Sequence, residues 1–366
     1  MPTRRTFLKV IGGSAIIAAG GAGTFLATRT PTSARKPWEL AGLETEPRRR
    51  ALSYAILAPN PHNRQPWEVD LSIPDQITIW RDVDRNLPQT DPFDRQLTIG
   101  MGCFLELLSV AASQTGHRVE YSLFPEGEGG PVAVARFSDG AKPDPLFAHV
   151  LDRRSCKEPF QPRLLEDRDV AVLKPFADII TDSNEVQQLV SLTKESWVVE
   201  ANTPRTHKES VDLFRMGRAE IEANPDGIDL GGPFLESLMV VGAFTREQAL
   251  DPASNAFKQA HDMYMEMLSA TPAYAVITST ANKRSDQIDA GRRWLRLNLA
   301  TTGLGLALHP VSQCLQEYPE MAEHYQTAHR LLAQPGETVQ MLGRVGYGPK
   351  TPPSPRWPLE TRILNA

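Results

Sequence analysis

The sequence predicts an α+β protein. Three observations carry that expectation. Segments with apolar residues at helical spacing alternate with short runs that are apolar or alternate in strand fashion. Turn signals such as Pro74-Asp75, the Gly-rich stretch 126–130 and Gly303-Leu304-Gly305-Leu306 punctuate them. No strand is followed by G-x-G-x-x-G, and no P-loop is present, so a nucleotide-binding doubly wound sheet is not indicated. Layers of helix and sheet are the economical way to bury such elements. The 366 residues, 41% hydrophobic and 23% charged, suit two domains or one large unit. A net charge of −5 offers no general grip on a polyanion, so nucleic acid is not an expected partner.

The elements fall in order into two units. Residues 1–30 are an export segment: Thr3-Arg4-Arg5-Thr6-Phe7-Leu8-Lys9 reads as a twin-arginine motif, and the apolar, Gly/Ala-rich run Val10 to Ala27 follows it. The twin-arginine machinery is therefore an expected partner and the periplasm or cell envelope the expected location. No clean A-x-A cleavage site is present, which leaves an uncleaved signal as the one expected membrane contact. Residues 31–44 read as a polar linker.

The first unit spans 45–145. A helix is expected over 46–57, then strands over 69–73 and 76–81, a buried helix over 97–116 that Gly116 can cap, and strands over 119–124 and 132–137. The second unit, 146–366, is mostly helical. Helices are expected over 166–176, 185–201, 205–223, 256–269 and 287–302, with strands over 273–278, 307–311 and 339–345. Cys103, Cys156 and Cys314 are odd in number and far apart, so three buried thiols are expected and not a disulfide framework. The run from His261 to Met267 has Met at alternate positions; on a helix these point apart, which favours packing over a metal site, and no metal is expected elsewhere.

Two stretches carry the chemistry. Ala58-Pro59-Asn60-Pro61-His62-Asn63-Arg64-Gln65-Pro66-Trp67 resembles the N-x-Q-P-W loop of the nitroreductase family, and Arg153-Arg154-Ser155-Cys156-Lys157-Glu158-Pro159-Phe160 resembles its R-R-S phosphate-binding segment. The order is the reverse of an ordinary member's. One chain thus resembles two degenerate repeats imitating the family's homodimer, as in the exported, single-chain Acg-type branch. That resemblance implies a nitroreductase-like fold and one FMN per chain, with no second site and with the molecule possible as a monomer.

It also implies roles for residues. Arg153, Ser155 and Lys157, with Arg154 as a weaker candidate, would meet the phosphate and ribityl end. Arg356, within the basic segment Lys350 to Arg356, would close the same site. Pro59, Asn60, Asn63 and Gln65 would approach the ring; Asn60 replaces the family's small hydroxyl residue. His309-Pro310-Val311-Ser312-Gln313 resembles a segment beside the N5 and O4 edge, where the family uses backbone amides, with Pro310, Val311 and Ser312 as the contacting residues. Trp67 reads as core, and His62 as either a ring contact or a solvent-facing residue. Apart from the resemblance, these cations could equally be exposed surface charges.

Three functions fit this pattern. One is an FMN-dependent oxidoreductase passing hydride through N5 to an electron-poor aromatic or quinone-like small-molecule acceptor. No catalytic side chain is required of the protein, because the cofactor does the chemistry. Another is a store or sequestering protein for FMN, with residues 197–256 as a lid from which Arg215 and Met216 would reach the site. A third is a binding module whose site is a relic.

Overall fold

Residues 29–366 are described in the computed structural model; the export motif and the apolar run after it lie outside the described residues. Helix α1 (Lys36–Leu40) precedes α2 (Pro47–Ala55), which the Glu46 side chain caps by accepting from the Arg49 amide, with proline in the first turn. Strands β1 (Trp67–Asp70) and β2 (Gln76–Arg81) lead to the long helix α3 (Arg95–Ser113) and then to β3 (His117–Leu123) and β4 (Ala133–Asp139). The second half opens with α4 (Asp167–Leu173), β5 (Asp178–Ile180), α5 (Ser183–Asn202) and α6 (Pro204–Asp212). Next come β6 (Phe214–Met216), α7 (Gly217–Ala223), β7 (Ile228–Leu230), α8 (Pro233–Val240), α9 (Arg246–Leu250) and α10 (Asn255–Ser269). It ends with β8 (Ala273–Ser279), α11 (Arg284–Gly303), β9 (Ala307–Pro310), α12 (Ala322–Leu332), β10 (Thr338–Gly346) and β11 (Ile363–Asn365).

The architecture is mixed α+β, with a main sheet in each half and the long helices α3 and α11 between them. The first sheet has the order β11-β1-β2-β4-β3 and the second β5-β8-β10-β9, while β6 and β7 form a separate parallel pair. Strand alternation shows what each sheet faces. Ile77, Ile79, Ala133 and Ala135 turn inward from the first sheet, into a core shared with α3 and α11. In β8, Ala275 and Ile277 join that core, whereas Tyr274 and Val276 join a second one built with α5. The second sheet is therefore covered on both faces and the first on one.

Helices α3 and α11 cross at van der Waals closeness. A Cβ on Gly291 would stand 1.9 Å from the Ile99 carbonyl oxygen, and one on Gly102 would stand 2.1 Å from that of Ile288. The Cys103 thiol donates across the crossing to the Gly291 carbonyl at 3.1 Å. By length and composition α3 could pass for a membrane span, but 94% of its apolar window is buried inside the fold, as a core helix requires. All three cysteines are free and buried.

Several boundaries differ from expectation for physical reasons. The first strand starts earlier, at Trp67, and releases the chain after Asp70, whose carboxylate accepts from the Ser72 amide in a tight turn. The buried helix α3 ends at Ser113, and Gly116, at φ +80°, turns the chain beyond it. The helix expected over 205–223 is broken: β6 intervenes, pairs in parallel with β7, and Gly217 at φ +78° restarts the helix. Residues 31–44 are not a bare linker, because a 3-10 turn at Ser33–Arg35 and α1 pack Ala34 and Trp38 into the interior. The short strand β11 carries too little pattern to be read alone. It joins β1 in parallel, with Val69 opposite Ile363, and so returns the C-terminal segment to the first sheet.

Two substitutions test this packing by chemical denaturation. Trp67, fully buried and stacked on Phe104 at a centroid distance of 4.9 Å, is expected to cost about 3–5 kcal/mol as Trp67→Ala. Gly291→Ala forces a methyl against a backbone oxygen and is expected to cost about 1–3 kcal/mol. Gly129→Ala, where a Cβ meets nothing within 4 Å, is the near-neutral control.

Candidate functional site

The loop after α2 has an unusual backbone. His62, Asn63 and Gln65 all adopt the left-handed region, at φ 47°, 53° and 51°, which non-glycine residues enter only under constraint. The constraints are visible as hydrogen bonds. The Gln65 amide donates to Asn60 Oδ1 at 2.7 Å and Asn60 Nδ2 to the Ala58 carbonyl at 3.1 Å. Gln65 Nε2 donates to the Pro225 carbonyl at 2.8 Å, and its Oε1 accepts from the Trp357 amide at 2.9 Å. The loop also rests closely on α3 at Gly100, where a Cβ would lie 3.1 Å from Asn60 Cβ and from Pro61 Cδ and would push the loop outward by a few tenths of an ångström.

A cavity of about 2120 Å³ opens beside this loop. It brings together residues distant in sequence: Pro59, Asn60 and Asn63 from the loop, Arg153, Arg154, Ser155 and Lys157 from the start of the second half, Pro310 and Ser312 after β9, and Arg356 from the C-terminal segment. Gln65 and Val311, expected there, are not in its wall. Gln65 is fully buried and spends its amide on protein partners, so it holds the loop and does not face the cavity. Val311 packs into the second core, and its backbone amide donates to the Leu342 carbonyl at 3.0 Å, which removes it as a donor to a ligand. Arg215 and Met216 are also absent from the wall. Arg215 donates instead to Asp226 Oδ1 from Nη2 at 2.6 Å and from Nε at 3.1 Å. A separate, more open groove of about 580 Å³ between the β3–β4 turn and the start of α11 contains none of the expected residues.

One end of the cavity is cationic. Arg153 Nη2 and Arg356 Nη2 both donate to the Leu57 carbonyl, at 2.8 and 3.1 Å, and Arg356 Nη2 also reaches Ala58 at 3.1 Å. These carbonyls follow α2 and lie at the negative end of its dipole, which partly offsets the charges. Arg356 Nη1 donates to Ser354 Oγ at 2.7 Å, to the Pro355 carbonyl at 2.8 Å and to Asn63 Oδ1. Trp38 lies among the three guanidinium groups, 4.5 Å from Arg154, 5.7 Å from Arg356 and 5.8 Å from Arg153.

Among the described residues, no carboxylate forms an ion pair with Arg153 or Arg356. Burial and then repulsion from Arg154 pull Arg153 down to about 10; burial, Arg153 and Arg154 hold Arg356 well below its ordinary value. Both stay protonated at neutral pH. The Nε atoms of Arg153, Arg154 and Arg356 are buried with no partner. Three crowded cations with spare donors make a site that favours an anion.

The sequence reading missed several wall residues. Trp38, Trp197, Glu200 and Trp294 line the cavity, and His309, from the segment expected there, lines it beside Pro310. His62 lines it as well; burial and then Lys157 and Arg64 lower its imidazole to about 4, so it is neutral at physiological pH. Glu200 is buried and its carboxyl is raised by burial; it accepts from Gln316 Nε2 at 3.0 Å. Trp38 and Glu200 lie in stretches that no motif marks, and only the fold brings them here.

No family model matches the chain. An uncharacterized protein of Mycobacterium tuberculosis (Rv3127) is 25% identical over 345 residues, covering 86% of this chain and 91% of its own. A second protein of that organism, named "Putative NAD(P)H nitroreductase Rv3131", is 22% identical over 329 residues, covering 86% and 90%. Among solved structures, a "putative nitroreductase" of Anabaena variabilis covers 89% of this chain and 91% of its own at a TM-score of 0.47 and 13% identity. The FMN-dependent nitroreductase NfnB of Mycobacterium smegmatis, solved with NADPH, covers 59% and 96% at a TM-score of 0.36 and 13% identity.

The 225–227 turn is pinned to this site by charge. Asp226, nearly fully buried, faces Arg215 at 2.6 Å, Arg85 at 2.7 Å and Arg64 at 3.7 Å. Burial raises its carboxyl, but the hydrogen bonds from Arg215 and the charges of Arg215, Arg85 and Arg64 outweigh this and hold it below the ordinary 3.8. A depressed value means the stabilisation is complete above about pH 3.8 and is lost as pH falls through the lower folded value. Asp226→Asn is therefore expected to cost about 1.5–3 kcal/mol at neutral pH, by removing the carboxylate that Arg215 and Arg64 share with Arg85, while Arg85 keeps Asp82. It should also flatten the acid limb of a denaturation series run from pH 6 downward. An unchanged acid limb would show that Asp226 is not the titrating group.

Proposed function

We propose that the chain is an FMN-binding, nitroreductase-like oxidoreductase whose cofactor phosphate is held by Arg153, Arg154 and Arg356. The observation that carries this reading is the cationic end of the cavity: three clustered guanidinium groups, two of them buried, with unpartnered Nε donors and, among the described residues, no carboxylate paired with Arg153 or Arg356. A phosphate monoester brings about two negative charges and several acceptor oxygens, which this cluster lacks. The sequence similarity to the M. tuberculosis protein named as an NAD(P)H nitroreductase points the same way.

Bound FMN would supply hydride transfer at N5 to an electron-poor aromatic or quinone-like acceptor. The chain's own contribution is binding and exclusion. Arg153 and Arg356, fixed through the Leu57 carbonyl, set the position of the anion. Trp38 covers the guanidinium faces and keeps water from them. His62, neutral at physiological pH, adds no competing charge. The cavity, about 2120 Å³, is larger than the ~300–1,000 Å³ typical of a single ligand, so a flat acceptor fits beside the cofactor.

One observation favours storage of FMN as a second reading. The 197–256 segment is latched from two sides, by the Asp226 cluster and by the N-terminal residues, whose Thr32, Ser33 and Ala34 amides all donate to Glu222. A latched segment slows exchange of donor and acceptor. The expected export by the twin-arginine route is compatible with either reading, since both have the protein folded around its cofactor first.

The deciding experiment is the absorption spectrum and released-flavin stoichiometry of the purified protein, with close to one FMN per chain expected. Arg153→Met with Arg356→Met is expected to weaken FMN at least 100-fold, from two charge-assisted hydrogen-bonding groups at about 1.5–3 kcal/mol each. Lys157→Ala, at an exposed side chain, should weaken it less and leave the fold intact. Protein that takes up no FMN would overturn the reading. Rapid flavin reduction by a nicotinamide donor would select the oxidoreductase, and reduction slower than any useful turnover would select storage.

A further inference from the structure

Arg344 is fully buried, and its guanidinium is placed by four groups. Nε donates to Thr271 Oγ1 at 2.8 Å, Nη2 donates to the carbonyls of Ala270 at 3.2 Å and Glu158 at 3.4 Å, and the group lies 4.2 Å from the centroid of the Phe160 ring. Its remaining nitrogen, Nη1, is 3.1 Å from His309 Nδ1. Among the described residues it has no ion-pair partner.

A guanidinium can only donate. Nδ1 of His309 must then accept, so it cannot carry a proton, and a neutral imidazole in this contact has its hydrogen on Nε2. Imidazolium is disfavoured by the same neighbour, because both nitrogens would then be donors and two cations would be in contact. Lys157 adds a second positive charge on this side. The ring belongs to β9, whose His309 pairs in register with Arg344 of β10, so the sheet itself holds the two together. His309 is also part of the cavity wall, beside Pro310 and Ser312.

This bears on how the 309–313 segment meets a flavin. The resemblance implied contact through backbone amides, yet the Val311 amide is committed to Leu342. We propose that His309, locked by Arg344 as the Nε2–H tautomer, is a fixed hydrogen-bond donor to the polar edge of the flavin ring. The inference rests on the FMN reading above. A permanent donor at that edge favours the electron-rich reduced ring and raises its potential, without exchanging a proton. His309 is on this account a positioning and tuning residue, one that would touch the cofactor but not titrate.

Two measurements test it. Nitrogen-15 chemical shifts of the His309 ring, recorded on the full chain without FMN, are expected to show the Nε2–H tautomer unchanged from pH 5 to 8. An Nδ1–H tautomer or an imidazolium in that range would overturn the proposal. The second is the flavin potential of the FMN-loaded protein. His309→Leu is expected to shift the two-electron equilibrium about tenfold toward oxidised flavin, ~30 mV, while His309→Gln, which keeps a side-chain N–H donor, retains most of the native potential. If both variants bind FMN normally and neither moves the potential, the proposal fails while the FMN reading stands. If the unaltered protein binds no FMN, both fail together.

Discussion

The close crossing of α3 and α11 is the constraint on which the rest of the structure depends. It is possible only because Gly102 and Gly291 have no side chains to separate the helices. Each helix backs its own sheet, so their separation sets the distance between the two halves and the shape of the space between them. Ile99, Gly100 and Cys103 of α3 and Trp294 of α11 form part of the cavity wall. The same economy recurs around it: Gly100 admits the 60–65 loop, and Gly343 leaves room for Trp294, which a Cβ there would meet at 2.4 Å. Small residues at these contacts turn two adjoining layers into one body with a defined cleft.

The cleft then concentrates charge that the fold does not neutralise. Asp226 shows what a structural cation cluster looks like here, a buried carboxylate with three arginines around it. Glu106 is another, holding Arg292 at 2.7 Å and Arg296 at 2.6 Å. Arg153 and Arg356 are more deeply buried than any of these and, among the described residues, have carbonyls, side-chain amides, the Ser354 hydroxyl and an indole as neighbours but no carboxylate. The contrast within one molecule is the argument for an anion at that place. Arg344 is buried without a counter-charge as well, but Thr271, Ala270, Glu158 and His309 take its donors, whereas Arg153 and Arg356 keep unpartnered Nε groups.

Much of the fold was legible because its signals are local. The period of α3, the alternation of β2 and the turn residues between strands depend on neighbours in sequence, and those elements lie close to their expected places. The break at Gly217 was not legible. Phe214 to Met216 is a strand only because residues 228–230 lie beside it, which is a tertiary effect. The site divides in the same way. The motifs point to Arg153 and Arg356, since charged residues in a resembling pattern name their own chemistry, and the fold brings both to one end of the cavity. Gln65 and the Val311 amide spend their hydrogen bonds on protein instead, which a loop sequence does not show. Trp38 was invisible for the opposite reason: it stands in a polar, proline-containing stretch with no period, and its value comes from a contact with Ser354, whose carbonyl accepts from the indole N–H at 2.9 Å.

That contact shows how the two ends of the described chain complete the site. Arg356 reaches the cavity because the C-terminal segment crosses back to pair β11 with β1. Its backbone amide donates to the Ala34 carbonyl at 2.8 Å, so the N-terminal strap fixes the residue directly. The strap is in turn anchored to the 197–256 segment through Glu222, through Arg35 and Asp229 at 3.3 Å, and through Arg29 and Glu236 at 3.0 Å. Arg356, the third cation of the site, is therefore held in place by both ends of the described chain. An anion that lowers the repulsion among Arg153, Arg154 and Arg356 would therefore also stabilise the segment carrying Arg356 and, through its bond to Ala34, the N-terminal residues held to it.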